Sequence, residues 1–95
     1  MTRAVVVTTL HRGVFYGYTS NTSEEIISTK SIELTGCRNC VYWSKETKRF
    51  LGLAATGPAK GSRVGAIADM LLLTDVTSVA DCTPSAVTQW ESTPW

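Results

Sequence analysis

The chain has 95 residues, 43% of them hydrophobic, and nine Lys and Arg residues against eight Asp and Glu residues give a net charge of +1. This length has no room for a second domain, so residues 1–95 are expected to form a single domain. The small net charge argues against duplex nucleic acid as a partner. The apolar run Ala4–Val7 is too short for a membrane span or a signal peptide, which predicts a cytoplasmic protein that binds no membrane.

The N-terminal part of the chain predicts a β-hairpin. Residues Arg3–Leu10 are dense in Val and Thr, and Val14–Tyr18 continues with β-branched and aromatic residues. The stretch His11–Gly13 interrupts the two runs. Because glycine adopts the backbone conformations that tight turns need, we place the turn near Gly13.

The middle of the chain predicts two further strands. Ile26, Ile32 and Leu34 fall on one parity, together with Lys30, as in a strand with one buried face. A turn is expected at Gly36–Asn39, since Gly and Asn favour turns. A fourth strand is then predicted at Cys40–Ser44.

The next apolar segments complete the predicted sheet. A charged turn over Lys45–Arg49 precedes a fifth strand at Phe50–Ala55. Met70–Leu73 and Val76–Val79 then form either a final strand pair or one bent strand, with a bulge at residues 74–75. The expected number of strands is therefore about six.

A short helix is predicted at the C-terminal end. Thr83 supplies an N-cap hydroxyl and Pro84 suits the first helical position, so the helix should run from Pro84 to about Glu91. The predicted fold class is α+β and mainly β, with an antiparallel sheet of about six strands and one short C-terminal helix. A domain of this size leaves apolar surface uncovered, so a homo-oligomer is expected.

The three cysteines raise the question of a metal site. An odd number of cysteines fits a reducing compartment better than a disulfide framework. Cys37 and Cys40 have the CxxC spacing, and His11 with Cys82 would complete a zinc set if the fold brought them together. Because a lone CxxC is a weak signal, we favour ordinary small thiols and predict no metal, with a zinc domain as the alternative.

The loop from Gly57 to Gly65 is the clearest chemical signal. Its glycine backbone, with Lys60, Ser62 and Arg63, is suited to hold a phosphate or another compact anion. It lacks the GxxxxGK[ST] spacing of a nucleotide-hydrolysing loop, so hydrolysis of a nucleoside triphosphate is not predicted. The alternative is a solvated connection with no ligand.

Aromatic and polar residues elsewhere suit a nucleobase. Arg12 lies next to Phe15 in the predicted hairpin, and Asn39 precedes Tyr42 and Trp43 in the fourth strand. Such groups hold a base by stacking and a few hydrogen bonds, although the same rings can simply pack the sheet. The predicted ligand-binding residues are Arg12, Phe15, Asn39, Tyr42, Trp43, Lys60, Ser62 and Arg63.

Catalysis has no support in the sequence. The chain has one histidine, and no strained nucleophile motif accompanies it. The three regularly spaced acids Asp69, Asp75 and Asp81 fit turn and solvent positions. We therefore predict a protein that is not an enzyme and has no cofactor.

The chain resembles a family of small proteins that tailed bacteriophages and prophages encode and that have no assigned function. The resemblance covers nearly the whole chain. It rests on Arg3–Thr9, Arg12–Phe15, Asn39–Trp43, Gly52–Ala54, Gly57 with Pro58, and the tail that contains Trp90 and Trp95. It implies a phage origin and the cytoplasm of the host cell as the location.

Phage proteins of this size often inhibit bacterial defence. The Thoeris and CBASS anti-defence sponges, which are oligomers that sequester cyclic nucleotide signals without cleaving them, are similar in kind. The resemblance thus implies a protein that sequesters a small nucleotide immune signal. The alternatives are a protein-binding inhibitor of a host defence enzyme, including an anti-CRISPR, and a structural or assembly protein of the virion.

Overall fold

The computed structural model describes residues 2–10, 13–42, 49–59 and 62–93. The predicted fold class is confirmed: the protein is mainly β, with a six-stranded antiparallel sheet and a short C-terminal helix. The elements in chain order are β1 (Arg3–Thr9), β2 (Val14–Thr19), α1 (Ser23–Thr29), β3 (Ile32–Tyr42), α2 (Arg49–Ala55), β4 (Arg63–Val64), β5 (Ala68–Leu73), β6 (Val76–Asp81) and α3 (Pro84–Ser92).

The predicted hairpin is confirmed. β1 and β2 pair antiparallel, with Val7 opposite Phe15. The amide of Thr9 donates to the carbonyl of Gly13 over 3.0 Å at the turn. A side chain at Gly13 would collide with the Phe15 ring, because an added Cβ would lie 2.5 Å from a ring carbon.

The first half of the predicted third strand is a helix. Thr22 caps α1 with a capping box: its hydroxyl accepts from the amide of Glu25, and the Glu25 carboxylate accepts from the amide of Thr22. Ile26 is the buried residue of this helix. It therefore reaches the core from a helix, and not from a strand that would also contain Ile32 and Leu34. The helix ends at Lys30, whose φ of 54° is left-handed.

The turn predicted at residues 36–39 lies inside β3, so the third and fourth predicted strands form one long strand. Tyr16 pairs with Arg38 and Tyr18 with Thr35, so β3 carries one extra residue in this interval. Gly36 lies there with a φ of 55°, which glycine adopts without strain. The glycine therefore forms a bulge that bends the strand without ending it.

The predicted fifth strand is also wrong, because Phe50–Ala55 lies in α2. Leu53 and Ala54 are buried, whereas Leu51 is 70% exposed. The amides of Thr56 and Gly57 both donate to the carbonyl of Gly52. Gly57, with a φ of 81°, ends the helix in the usual way for a glycine.

β5 and β6 form one bent strand, the second of the two predicted arrangements. The sheet order is β4-β3-β2-β1-β6, with β5 also on β3, so β5 and β6 lie on opposite edges. Only residues 74 and 75 separate them. Four strand spacings in a flat sheet amount to about 19 Å, whereas Leu73 to Val76 spans at most about 10 Å. The sheet therefore curls until its edges meet at this kink, where Asp75 has a φ of 56°.

The curled sheet separates two hydrophobic clusters. The inner cluster fills the concave side, and α1 contributes to it. Its buried members are Val5, Val7, Ile26, Ile32, Leu34, Cys37 and Leu73. The outer cluster lies between the convex side and the helices α2 and α3. Its buried members are Val6, Val14, Tyr16, Cys40, Leu53, Ala54, Val64, Ala86 and Trp90.

The C-terminal helix is confirmed and forms much of the outer layer. Thr83 caps α3 by accepting from the amide of Ala86, and Pro84 occupies the first turn. Trp90 is fully buried, and its indole N–H donates to the carbonyl of Leu53 over 2.9 Å. None of the helices in the described ranges has the length and apolar character required to cross a membrane.

Candidate functional site

The structure describes part of the predicted ligand site. Arg12, Trp43 and Lys60 lie outside the described residues, and only the backbone of Tyr42 is described. Phe15 is half-buried on β2, and Asn39 and Arg63 are exposed on β3 and β4. Ser62 is half-buried and directly precedes β4.

Strand pairing brings three of these side chains to one face. Phe15 lies opposite Asn39 in the β2–β3 pair, so their side chains share a face. Val64 faces Cys40, and both belong to the outer cluster. Since neighbouring residues of a strand point to opposite faces, Arg63 points away from the outer cluster, to the same side as Asn39. We call this surface of Phe15, Asn39 and Arg63 the corner.

The glycine-rich loop is anchored on both of its described sides. Gly57 and Pro58 are buried, and the Gln89 side chain of α3 donates to the carbonyl of Pro58 over 3.1 Å. On the other side, the amide of Gly65 donates to the carbonyl of Asn39 over 2.7 Å. The loop therefore joins α3 to the corner.

A buried arginine lies beneath the corner. Arg38 is 2% exposed and points to the outer cluster side. Its Nε donates to the carbonyl of Gly65 over 3.0 Å, and its Nη1 donates to the carbonyl of Trp90 over 2.6 Å. Its Nη2 is buried and finds no acceptor in the described structure. Both of these bonds go to backbone carbonyl groups.

Sequence reasoning missed Arg38 because it placed this residue in a turn. A continuous strand through this region would have revealed Arg38. In such a strand, Arg38 and Cys40 lie on one side, and Cys37 and Asn39 lie on the other. Arg38 then falls at a buried position of the strand. A buried cation requires carbonyl or anionic groups as hydrogen-bond acceptors.

An aromatic and acidic network lies next to Arg38. The Tyr16 ring stacks on Trp90, with centroids 4.8 Å apart and planes 8° from parallel. The Glu91 carboxylate lies 2.9 Å from the hydroxyl of Tyr16 and 3.2 Å from that of Tyr18, and accepts from both. Burial, followed by the hydrogen bonds to Tyr18 and Glu91, raises the pKa of Tyr16 well above its ordinary value. Tyr16 therefore stays protonated and holds α3 against the sheet.

The two cysteines of the CxxC pair do not converge. Cys37 belongs to the inner cluster and Cys40 to the outer cluster, so the CxxC pair points to opposite sides of β3. Burial raises the pKa of Cys37 to about 11 and that of Cys82 to about 12, the latter with a contribution from Asp81. Within the described ranges, no three His, Cys, Asp or Glu residues could jointly hold a metal ion. His11 lies outside those ranges.

A groove between α1 and β6 was not foreseen from the sequence. Its volume is about 450 Å³. It is lined by Arg3, Ser23, Ile26, Ile27, Lys30, Val76, Thr77, Ser78, Val79 and Asp81. The residues of the corner do not line it, so the corner and the groove are separate surfaces.

Comparison with known proteins gives a family and no function. No curated protein and no solved structure matches the chain. A match to a domain of unknown function, DUF6948, extends over residues 2–90. Because these residues include nearly all of the fold, the chain belongs to the DUF6948 family.

Proposed function

We propose that the protein is a non-enzymatic binding protein that captures a small nucleotide at the corner. The observation that carries this proposal is the common face of Phe15, Asn39 and Arg63 beside the anchored glycine-rich loop. An aromatic ring, an amide and a guanidinium are the groups that stack on a base, read its edge and bind a phosphate.

Each residue has a distinct role in this proposal. The exposed part of the Phe15 ring stacks on the base, and the Asn39 amide hydrogen-bonds its edge. Arg63 binds a phosphate, for which its planar fork is better suited than a lysine ammonium. Arg12, Tyr42, Trp43, Lys60 and Ser62 stay predicted members of the same site.

The resemblance to small phage proteins suggests the biological setting of this proposal. Sequestration of a cyclic nucleotide signal in the host cytoplasm would inhibit a bacterial defence system without any chemical step. The same setting suits a homo-oligomer, because a sponge gains capacity with each added site. A protein-binding inhibitor of a defence enzyme and a virion protein remain the alternatives, and the ligand screen below separates both from the sponge.

The test is thermal unfolding with a panel of cyclic dinucleotides, cyclic trinucleotides and cyclic ADP-ribose isomers. A ligand present at about a hundred times its dissociation constant stabilises the folded protein by about 2.7 kcal/mol. In a domain of this size that raises Tm by several degrees. Recovery of the intact ligand after denaturation would establish sequestration without cleavage.

Two variants of Arg63 make the test specific. Arg63→Ala should remove most of the Tm shift, while Arg63→Lys keeps the charge and should retain part of it, because only arginine binds a phosphate through two parallel hydrogen bonds. Arg63 is exposed, so neither variant should change Tm without ligand. A panel without any Tm shift, or a shift that Arg63→Ala leaves intact, contradicts nucleotide capture at the corner.

A further inference from the structure

Beyond Val76, whose amide donates to the carbonyl of Lys30, the outer edge of β6 pairs with no described strand and faces the groove. The amide of Cys82 donates to the carbonyl of Ala4 over 2.9 Å, and Ala80 lies opposite Val6. Since residues of an antiparallel strand alternate between facing the partner and facing away, the backbone groups of Val79 and Asp81 point away from β1. Neither residue has a backbone partner on that side in the described structure. An extended chain is the natural partner of such an edge.

The walls of the groove can accommodate apolar side chains. Ile26 belongs to the inner cluster and Val79 packs on it. These two side chains form the apolar floor of the groove. Ile27 stands at the rim and is 75% exposed, a large exposure for an isoleucine. The volume of about 450 Å³ falls within the range of ligand-binding clefts and suits a few side chains of an extended segment.

The two ends of the groove differ in charge, because Lys30 lies at one end and an ion pair lies at the other. At the beginning of β6, the carbonyl of Lys30 accepts from the amide of Val76 over 3.0 Å, which places Lys30 at this end. At the other end, Asp81 forms an ion pair of 3.0 Å with Arg3, and its side chain is 65% exposed. A segment antiparallel to β6 would begin near Asp81 and finish near Lys30. An acidic last residue would therefore lie beside the ammonium group of Lys30.

We propose that the groove between α1 and β6 binds a short extended peptide that adds to the edge of β6 as an antiparallel strand and places an acidic residue or a free carboxyl terminus beside Lys30. Alternate apolar side chains of the peptide contact Ile27 and Val79. This site is distinct from the corner, so the inference goes beyond nucleotide capture and does not rest on it.

The position of α1 selects a single extended segment over a folded copy of this chain. Ser23, which α1 places beside Arg3, lies at the Asp81 end of the groove, and Lys30 lies at the Val76 end. The helix therefore lies beside the outer edge of β6. A second copy would bring its own α1 to the same place, whereas an isolated peptide strand fits between helix and edge.

The experiment uses two synthetic hexapeptides and the full-length ¹⁵N-labelled protein. Both peptides carry valine at alternate positions; one has lysine first and glutamate last, and the other has these charges exchanged. We expect the first peptide to bind about tenfold more tightly, because its glutamate lies beside Lys30, whereas the exchanged peptide brings a lysine there. Its addition should shift the amide signals of Val79 and Asp81. Lys30→Glu should reverse the preference between the peptides.

Matched variants separate the groove from unspecific apolar binding. Ile27→Ala should weaken binding about tenfold, whereas Leu51→Ala, on an equally exposed leucine of α2, should leave it unchanged. Asp81→Pro removes an amide from the open edge, and Asp81→Ala removes the same carboxylate but keeps that amide. Only the proline variant should abolish the shift at Val79.

Three results would overturn the inference. The first is a spectrum in which neither peptide moves the Val79 and Asp81 signals. The second is equal weakening by Ile27→Ala and Leu51→Ala, or equal binding of the two peptides. The third is a dimer in sedimentation velocity that Ile27→Ala dissociates, since a second copy would then cover the groove. Thermal shifts with nucleotides are unaffected by these outcomes, so this inference and nucleotide capture can fail separately.

Discussion

At the residue scale, Arg38 carries the most unusual environment. It provides the donors for two backbone carbonyls, those of Gly65 and Trp90, and so connects β3 to the loop and to the C-terminal helix. Loss of a buried donor leaves its acceptor unsatisfied, at about 1–3 kcal/mol for each acceptor. The side chain thus contributes to stability although its Nη2 has no acceptor in the described ranges.

We expect Arg38→Met to lower the free energy of unfolding by about 2–4 kcal/mol, because both carbonyls lose their donor while the apolar volume is kept. Urea unfolding monitored by tryptophan fluorescence measures this change. Arg38→Lys, which can serve one of the two carbonyls, should fall between the Met variant and the natural chain. Equal stability of the Met variant would show that the two bonds contribute nothing.

The buried thiols make stability depend on alkaline pH. An exposed thiol has a pKa of about 8.5, whereas burial raises the pKa of Cys37 to about 11 and that of Cys82 to about 12. The stabilisation is complete below the pKa of the unfolded chain. It is lost as the pH rises, because the unfolded chain releases protons that the folded chain keeps.

The expected result is a lower free energy of unfolding at about pH 10 than at about pH 8. Urea unfolding at both pH values measures it. A variant with Cys37→Ala and Cys82→Ala should show a smaller decrease, with Tyr16, whose pKa is also raised, accounting for part of the remainder. A decrease of the same size in this variant would place its origin in groups other than the two thiols.

At the element scale, the kink between β5 and β6 depends on Asp75. Its φ of 56° lies in the left-handed region, which aspartate tolerates better than β-branched residues. The carbonyl of Asp75 accepts from the amide of Leu10 over 2.9 Å, and the next amide, that of Val76, donates to Lys30. Hydrogen bonds to the residue that follows β1 and to the end of α1 therefore stabilise the kink.

Asp75→Val should lower the free energy of unfolding by about 1–2 kcal/mol, because a β-branched side chain is strained at positive φ. Asp75→Gly should cause a much smaller change, since glycine adopts this conformation without strain. Thermal unfolding of the two variants makes the comparison. Similar losses in both would mean that the carboxylate, and not the backbone conformation, matters at this position.

Elements with strong local signals could be predicted from the sequence. The hairpin has a dense run of β-branched residues, and α3 has an N-cap followed by proline; both predictions are confirmed. α1 had an equally clear signal in Thr22 and Glu25, the capping box, but the parity of Ile26 with β3 obscured it. α2 could not be recognised, because a short apolar run fits a buried strand as well as a buried helix until its tertiary contacts are known.

The corner and the groove depend on long-range contacts that no local sequence pattern reveals. Phe15, Asn39 and Arg63 are three of the eight predicted ligand-binding residues, and strand pairing brings these three to one face. The groove was not predicted, since it arises only because the bent strand places β6 beside α1. Long-range topology of this kind follows from the curl of the whole sheet and from the side chains that fill it.

At the scale of the whole molecule, β5 is the surface through which we expect the predicted homo-oligomer to form. β5 pairs only with β3 in the described structure, so one of its edges is open. Met70 and Leu72 on this strand are 56% and 61% exposed, and Ile67 precedes them with 56%. Open strand edges with exposed apolar side chains favour association.

We expect two copies to associate through β5, with Met70 and Leu72 buried in the contact. Sedimentation equilibrium should show a dimer that Met70→Lys dissociates, because a buried unpaired ammonium is unfavourable. Ser20→Lys adds the same charge at an exposed position outside β5 and should leave the dimer intact. A monomer at every concentration would contradict this prediction.

The bent strand also determines when the protein can fold during its synthesis. β1 begins at residue 3, and its second neighbour, β6, ends at residue 81. A ribosome therefore releases the Val-rich β1 long before the strand that covers its other edge exists. Until then the inner cluster lacks Leu73 and the nascent chain carries an unpaired apolar edge. Closure of the sheet is thus a late step in folding, and the partly folded chain is the form most exposed to chaperones and to aggregation.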